Sequence, residues 1–362
     1  MASGSILAAI LVLAVVIFVH ELGHFLVGKW CNVEVRVFSM GFGPTLFARK
    51  VGETVYRIAL IPLGGYVKMA GYEEEGGDSE DAPSDPARGF TSKPLWQRAA
   101  IVAAGPAVNI AFAVLILFGC ALAYGVAVPT PAAVIADVAV DKPAAVAGIG
   151  AGDTVVSVDG SEISTWDEMV AAIGASGGRV LEFGVLSPDG APRTVEVTPA
   201  LVEQRDAYGE AAGPMVYQIG VRRGIEFVSV GPIEAMSAAV ERTWMDSSMI
   251  VGTVVRLIQG RVSAGDLGGP IMVVAAASQQ AQSGLQPLLF FMALISINLG
   301  IVNLLPIPIL DGGHLMFMSF EAVRGRPLPL RVREYALGFG MMLIGTLMLF
   351  VVFHDILRLV VG

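Results

Sequence analysis

Ser5-Ile-Leu-Ala-Ala-Ile-Leu-Val-Leu-Ala-Val-Val-Ile-Phe-Val-His20-Glu21-Leu22-Gly23-His24-Phe-Leu-Val27 is the stretch that decides the reading of the chain. It is long enough to cross a bilayer, which takes about 20 apolar residues. Yet three ionisable groups stand within one turn of it. Each costs about 2.5 kcal/mol or more at mid-membrane unless it is paired or metal-bound, so a merely structural polar pair between helices fails on energy. At about 100° per residue, His20 and His24 fall about 40° apart on one helix face, within reach of one metal ion. Glu21 projects beside them, where it can take a proton from water. The stretch is therefore an HExxH metal-site motif inside a membrane span.

Three further runs can span a bilayer: about Ala99–Tyr124, about Leu285–Leu305 and about Tyr335–Phe353. The whole chain, 362 residues with 54% hydrophobic and 15% charged and a mean hydropathy of +0.69, fits a membrane protein. A net charge of −9 leaves no basic field for nucleic acid, and none is expected as a partner. Two cysteines, Cys31 and Cys120, are too few for a disulfide framework or a cysteine zinc site. The first run reads as a span and not as a cleaved signal peptide: no Lys or Arg precedes it, and it continues past the His20–His24 cluster.

Lys and Arg set the orientation. They crowd the segment after the first span (Lys29, Arg36, Arg49, Lys50, Arg57 and on to Arg98) and the one after the third (Arg324, Arg326, Arg331, Arg333). Residues 126–200 hold only Lys142, Arg179 and Arg193 against ten Asp and Glu. Both termini and the long section between the second and third spans are thus expected on the outer, periplasmic side of a bacterial inner membrane. The HExxH cluster, about 15 residues or roughly 22 Å beyond Ser5, is expected towards the cytoplasmic side.

Catalytic zinc takes three protein ligands and keeps one position open. The third ligand has three candidates near membrane depth: Asp311, His314 and Asp355. Asp355 lies at the far, outer end of the last span. Asp311 follows the third span, whose direction ends on the same side as His20. Its surroundings, Asn303-Leu-Leu-Pro-Ile-Pro-Ile-Leu-Asp-Gly-Gly313, set two prolines and two glycines around one carboxylate. Pro306 and Pro308 remove helix donors, and Gly312 and Gly313 permit unusual backbone angles. Irregular backbone at that depth must line protein or a water cavity, which favours Asp311 and leaves His314 as the alternative.

On these two motifs, His20–His24 and Asn298–Gly313, the chain resembles the site-2 protease family of intramembrane zinc metalloproteases, and within it the bacterial regulator-of-sigma-E branch. The resemblance implies one zinc ion per chain held by His20, His24 and Asp311, with Glu21 as catalytic base. It implies hydrolysis of peptide bonds within or beside the spanning helix of single-pass membrane proteins, such as membrane-bound anti-sigma factors or signal-peptide remnants. It implies that an upstream site-1-type protease makes the first cut. It also implies substrate-backbone contacts at Asn298 and Asn303, and a membrane-associated β-structured loop that brings Gly64 and Gly65 to the substrate path. From the residues alone, Asn298 and Asn303 could equally be interhelical glue. Asn109, in Ala104-Gly-Pro-Ala-Val-Asn109, reads as a helix-packing residue.

The expected fold is thus a four-helix, multi-pass membrane protein with a β-hairpin region and one inserted β-rich domain. Residues 1–125 form the first membrane part, with alternating strands at about 32–70, such as Val33-Glu-Val-Arg-Val-Phe38, whose edge could add an extended substrate segment. Residues 126–222 alternate strands, a small helix and Gly-Asp turns. They resemble a permuted PDZ domain, which takes peptide C-termini as an added strand. The family branch has two such domains in tandem, and this chain has room for one. Residues 223–284, with the amphipathic Ile233–Leu257 run and Asp266-Leu-Gly-Gly-Pro270, are too charged to span and fit interfacial helices. Residues 285–362 complete the membrane part. Competing classes are a zinc-binding membrane transporter, for which four histidines give no chain of sites, and a non-catalytic membrane PDZ scaffold.

Overall fold

The computed structural model describes residues 2–72, 83–206, 208–262, 265 and 268–361. Of the Asp266–Pro270 stretch, Asp266 and Leu267 lie outside the described residues. The chain forms two compact units, Met1–Ala123 with Gly231–Gly362, and Tyr124–Val230.

The first unit opens with α1 (Ala2–Trp30), apolar without a break from Ile6 to Val19. Two long strands follow, β1 (Val35–Val51) and β2 (Thr54–Met69). Their register doubles them into a small sheet. Val37–Met40 have Gly65–Lys68 on one side and Val55–Ile58 on the other, while Phe47–Val51 pair with Thr54–Ile58. The Glu53 turn is tied down by Lys29 Nζ at 2.5 Å and by Arg88 Nη1 at 2.7 Å. These two cations, Arg88 first, hold the Glu53 carboxyl down to about 2. A 3₁₀ turn (Pro86–Arg88) leads to α2 (Leu95–Tyr124), which carries Pro106 in its interior. Val33, Val35, Met69, Ile101 and Met318 close an apolar core beneath the sheet.

The second unit is β-rich. It comprises β3 (Val126–Pro129), β4 (Ile135–Val138), α3 (Pro143–Val146), β5 (Thr154–Val158) and β6 (Ser161–Glu162). These are followed by α4 (Trp166–Ala175), β7 (Leu181–Leu186), β8 (Pro192–Val197), β9 (Ala200–Arg205) and β10 (Ala211–Gln218). β11 (Val221–Arg223) and β12 (Ile225–Val228) end it. A four-stranded sheet runs β6-β5-β7-β8. In β7 the inward residues Leu181, Phe183 and Val185 alternate with outward ones, the period-2 pattern of a one-sided strand. α4 starts with a capping box between Thr165 and Glu168 and buries Met169 and Ile173 against that sheet's core. The unit runs on to Val230 because β12 pairs with β3, Val228 opposite Val126.

Back in the first unit, α5 (Pro232–Ile258) is a 27-residue helix whose Ala235, Ala239, Thr243 and Asp246 are buried. Ala239 joins a core with Leu117 of α2 and Ala293 and Ile297 of the third apolar run. α6 (Pro270–Ser283), α7 (Leu285–Asn303), α8 (Asp311–Arg324) and α9 (Leu330–Val361) complete the chain. Asp355 of α9 is fully buried and accepts the backbone N–H groups of Gly269, Ile271 and Met272, so it caps α6. Among the described residues, four helices are long and apolar enough to cross a membrane: Leu7–Trp30, Leu95–Tyr124, Leu285–Asn303 and Leu330–Arg358. Three of them extend beyond the runs seen in the sequence, because Gly28–Trp30, Leu95–Arg98 and, on α9, Leu330–Glu334 and His354–Arg358 continue the helix through charged residues.

Candidate active site

The site is assembled where α1 crosses α2. Gly23 of α1 and Gly105 of α2 make the crossing close: a Cβ on Gly23 would stand under 3 Å from the carbonyl of Ala104. A Cβ on Gly105 would stand under 3 Å from both imidazoles, at His24 Nε2 and His20 Cε1. Small residues let membrane helices approach in this way. Here they also leave the room the two rings fill.

Asp311 reaches the same point from the other end of the chain. α7 stops at Asn303, and Leu304–Leu310 form a compact turn held by Ile307 N to Leu305 O (2.7 Å) and Leu310 N to Ile307 O (2.8 Å). Gly312 and Gly313 are buried in the first turn of α8 because added Cβ atoms would meet the backbone of residues 304–308. Their φ angles are not positive, so close approach, and not an unusual conformation, is what requires glycine there. Asp311 therefore sits at a helix N-terminus, where the macrodipole favours its ionised form.

The three side chains converge. His20 Nε2 lies 3.1 Å and His24 Nε2 3.5 Å from Asp311 Oδ2, and the two Nε2 atoms are 3.3 Å apart. Tetrahedral zinc with N and O ligands at about 2.0–2.2 Å sets neighbouring ligand atoms about 3.3–3.6 Å apart. The triangle is already close to that size, so the donor set and its spacing fit the ion. His314 lines the same cavity but is not part of the triangle, and Asp355 is engaged at α6.

Each histidine has a partner on its outer nitrogen. His24 Nδ1 donates to the Ile101 carbonyl at 2.9 Å. His20 Nδ1 lies 3.3 Å from Asn109 Nδ2. Asn109 also serves packing, since its carbonyl accepts from Ser296 Oγ of α7 at 2.8 Å. A cavity of about 470 Å³ opens on the cluster. Glu21 lines it, as do Gly64, Gly65 and Tyr66 of β2 and Asn303 of α7. Asn303 Nδ2 is 3.5 Å from His20 Nε2. Asn298 is exposed and does not line the cavity, because five residues along α7 turn it about 140° away from Asn303.

Gly105, the Asn109 contact and Tyr72 were not legible as site residues in the sequence. The Ala103-Ala104-Gly105 run and a lone amide in an apolar span are the signals that bear on the first two. Tyr72 lies outside any motif. Its ring packs edge-on to Phe90 (centroids 4.7 Å) and tilts over His314 (5.8 Å). Burial, with the Asp311 and Glu21 carboxylates, pushes the Tyr72 hydroxyl well above its ordinary range, so it stays protonated. Burial likewise lowers the His314 imidazole, which favours its neutral form.

The sequence profile of Peptidase family M50 matches residues 8–347. A protein of Agrobacterium fabrum named as a zinc metalloprotease is 37% identical, over 99% of this chain and 97% of its own length. One of Mesorhizobium japonicum, similarly named, is 38% identical over 98% of each. Protease RseP of Yersinia pestis is 32% identical over 98% of this chain and 99% of its own. That last alignment runs over 452 positions, some 90 more than this chain has residues. The chain belongs to peptidase family M50, the site-2 proteases, and is a membrane zinc metalloprotease.

Proposed function

We propose that this protease hydrolyses peptide bonds within or next to the transmembrane helix of single-pass membrane proteins, after a first cut by another protease on the outer side. The observation that carries the reading is the 3.1–3.5 Å triangle of His20, His24 and Asp311 beside Glu21, on elements continuous with apolar spans. His20, His24 and Asp311 would hold one zinc ion. When bound, zinc supplies Lewis-acid polarisation of the scissile carbonyl and makes water acidic enough to attack near neutral pH.

The chain's own residues do the rest. Glu21 accepts the proton of the attacking water and delivers it to the departing amine. The Asn303 side-chain amide donates to the carbonyl oxygen as negative charge builds there. A peptide bond inside a helix is shielded by its own hydrogen bonds, so the substrate must unwind. The Gly64–Val67 segment of β2, which lines the cavity and pairs with β1 on one side, supports capture of the unwound segment as an added strand.

The Tyr124–Val230 unit acts as a single PDZ-like module for peptide C-termini. Its four-stranded sheet with α4 supports this, as does β11, which among the described residues pairs only with β4 and keeps one edge open. The basic segments after the first and third spans support an orientation with both termini and this unit on the periplasmic side of the inner membrane, and the zinc site towards the cytoplasm.

The test is a comparison of membrane-protein fragments in cells making wild type or Glu21→Gln. Fragments ending inside or beside a single spanning helix should appear only with wild type. Identical fragment sets, or cuts confined to soluble domains, would defeat the substrate assignment.

A further inference from the structure

We infer that Asn109 is the positioning residue that fixes the His20 ring for ligation, by accepting a hydrogen bond from His20 Nδ1–H through its side-chain carbonyl. This rests on the ligand set proposed above. His20 turns Nε2 towards Asp311 and His24, so Nδ1 points the other way, onto the Asn109 amide. A neutral imidazole that ligates through Nε2 carries its proton on Nδ1. An Nδ1–H facing an Nδ2–H₂ would set donor against donor.

Meanwhile Asn109 is 0% exposed, and its Oδ1 is buried with no hydrogen-bond partner among the described residues. A buried amide oxygen left unpaired is costly. A half-turn of the amide about its last side-chain bond removes the clash of donors and lets Oδ1 accept from Nδ1–H. The backbone of the residue is held for this. Ser296 Oγ donates to its carbonyl at 2.8 Å, and Gly300 of α7 comes close enough that an added Cβ there would stand 3.5 Å from the Asn109 Cβ.

The two histidines are therefore unequal. His24 is oriented by the Ile101 carbonyl, which side-chain substitution cannot remove. His20 depends on one amide. A packing role for Asn109 would be filled by leucine, which branches at the same carbon and carries no polar atom. A positioning role would not, but aspartate, which keeps an acceptor, would restore it.

The experiment measures zinc affinity by chelator competition, and thermal unfolding of the metal-free protein, on the full chain in detergent. The variants are Asn109→Leu, Asn109→Asp and His20→Ala. Asn109→Leu should bind zinc about 10–100-fold more weakly than wild type, the usual cost of losing an outer-shell partner. Its metal-free unfolding temperature should stay close to wild type. Asn109→Asp should bind zinc as tightly as wild type or more tightly. Wild-type zinc affinity in Asn109→Leu overturns the inference. So does an Asn109→Asp protein as weak as Asn109→Leu, which also decides the matter if Asn109→Leu is itself unstable. Wild-type affinity in His20→Ala would instead overturn the ligand set.

Discussion

A hydrogen atom in place of a methyl group at position 105 is what lets two imidazoles share one side of α2. Alanine favours a helix over glycine by about 1 kcal/mol, so Gly105→Ala should not harm α2 itself. Its Cβ would intrude on both rings, and zinc binding should weaken at least about tenfold, read as metal retained after chelator dialysis. Gly65→Ala makes a different demand. The new Cβ would lie 3.0 Å from Glu21 Cγ and 2.9 Å from the Ser39 carbonyl. Displacing the proposed base and not the ligands, it should lower kcat while zinc content stays at wild type. The sequence disclosed the charged residues of this site readily, because His20, Glu21 and His24 are expensive in an apolar span and Asp311 is a lone carboxylate among apolar neighbours just after one. Gly105 carries no chemistry of its own, so only the packed helices reveal it. Gly312 and Gly313 were noticed, but for backbone freedom, when what they provide is closeness to the Leu304–Pro308 turn.

At the scale of elements, the register of α8 matters most, since it delivers Asp311. Three turns further along, Glu321 Oε1 and Oε2 meet Arg98 Nη2 and Nη1 at 2.5 and 3.2 Å, a forked pair in which both side chains are largely buried. Arg98→Met leaves Glu321 without its cation. It should cost about 3 kcal/mol of stability by thermal unfolding, and zinc affinity should fall with it. The Glu53 turn predicts a pH effect. Its carboxyl is held near 2 against an ordinary 4.5, so its stabilising contribution is complete above about pH 4.5 and fades as pH falls towards 2. Glu53→Gln should thus be less stable than wild type at pH 6, with the gap narrowing steadily to pH 3. The strands themselves were only partly legible. Alternation marks Val33–Phe38, and β1 continues beyond it through Gly41, Gly43 and Pro44 to Val51. The charges of α5 argued against a span, yet they do not reveal that its Ala235–Asp246 face packs into the unit.

For the whole molecule, a composition of 54% hydrophobic and 15% charged averages two unlike parts, an apolar unit with the metal cluster and a β-rich insert. The long polar stretch between spans made the insert evident. Its end did not show, since the β3–β12 pairing joins residues a hundred positions apart. Because Val126 and Val228 are partners, the two ends of the insert lie about 5 Å from one another. Replacing residues 126–228 with a short turn should therefore leave zinc content and cleavage of a reporter span intact, while abolishing any preference for substrates with a freed C-terminus.

The central claim is that residues at opposite ends of the sequence hold one catalytic zinc. Elemental analysis of purified wild type, His20→Ala and Asp311→Ala tests it most directly. The account predicts one zinc per wild-type chain and almost none in either variant, with helix content unchanged by circular dichroism. An Asp311→Ala protein that keeps one zinc per chain and still cleaves would contradict it.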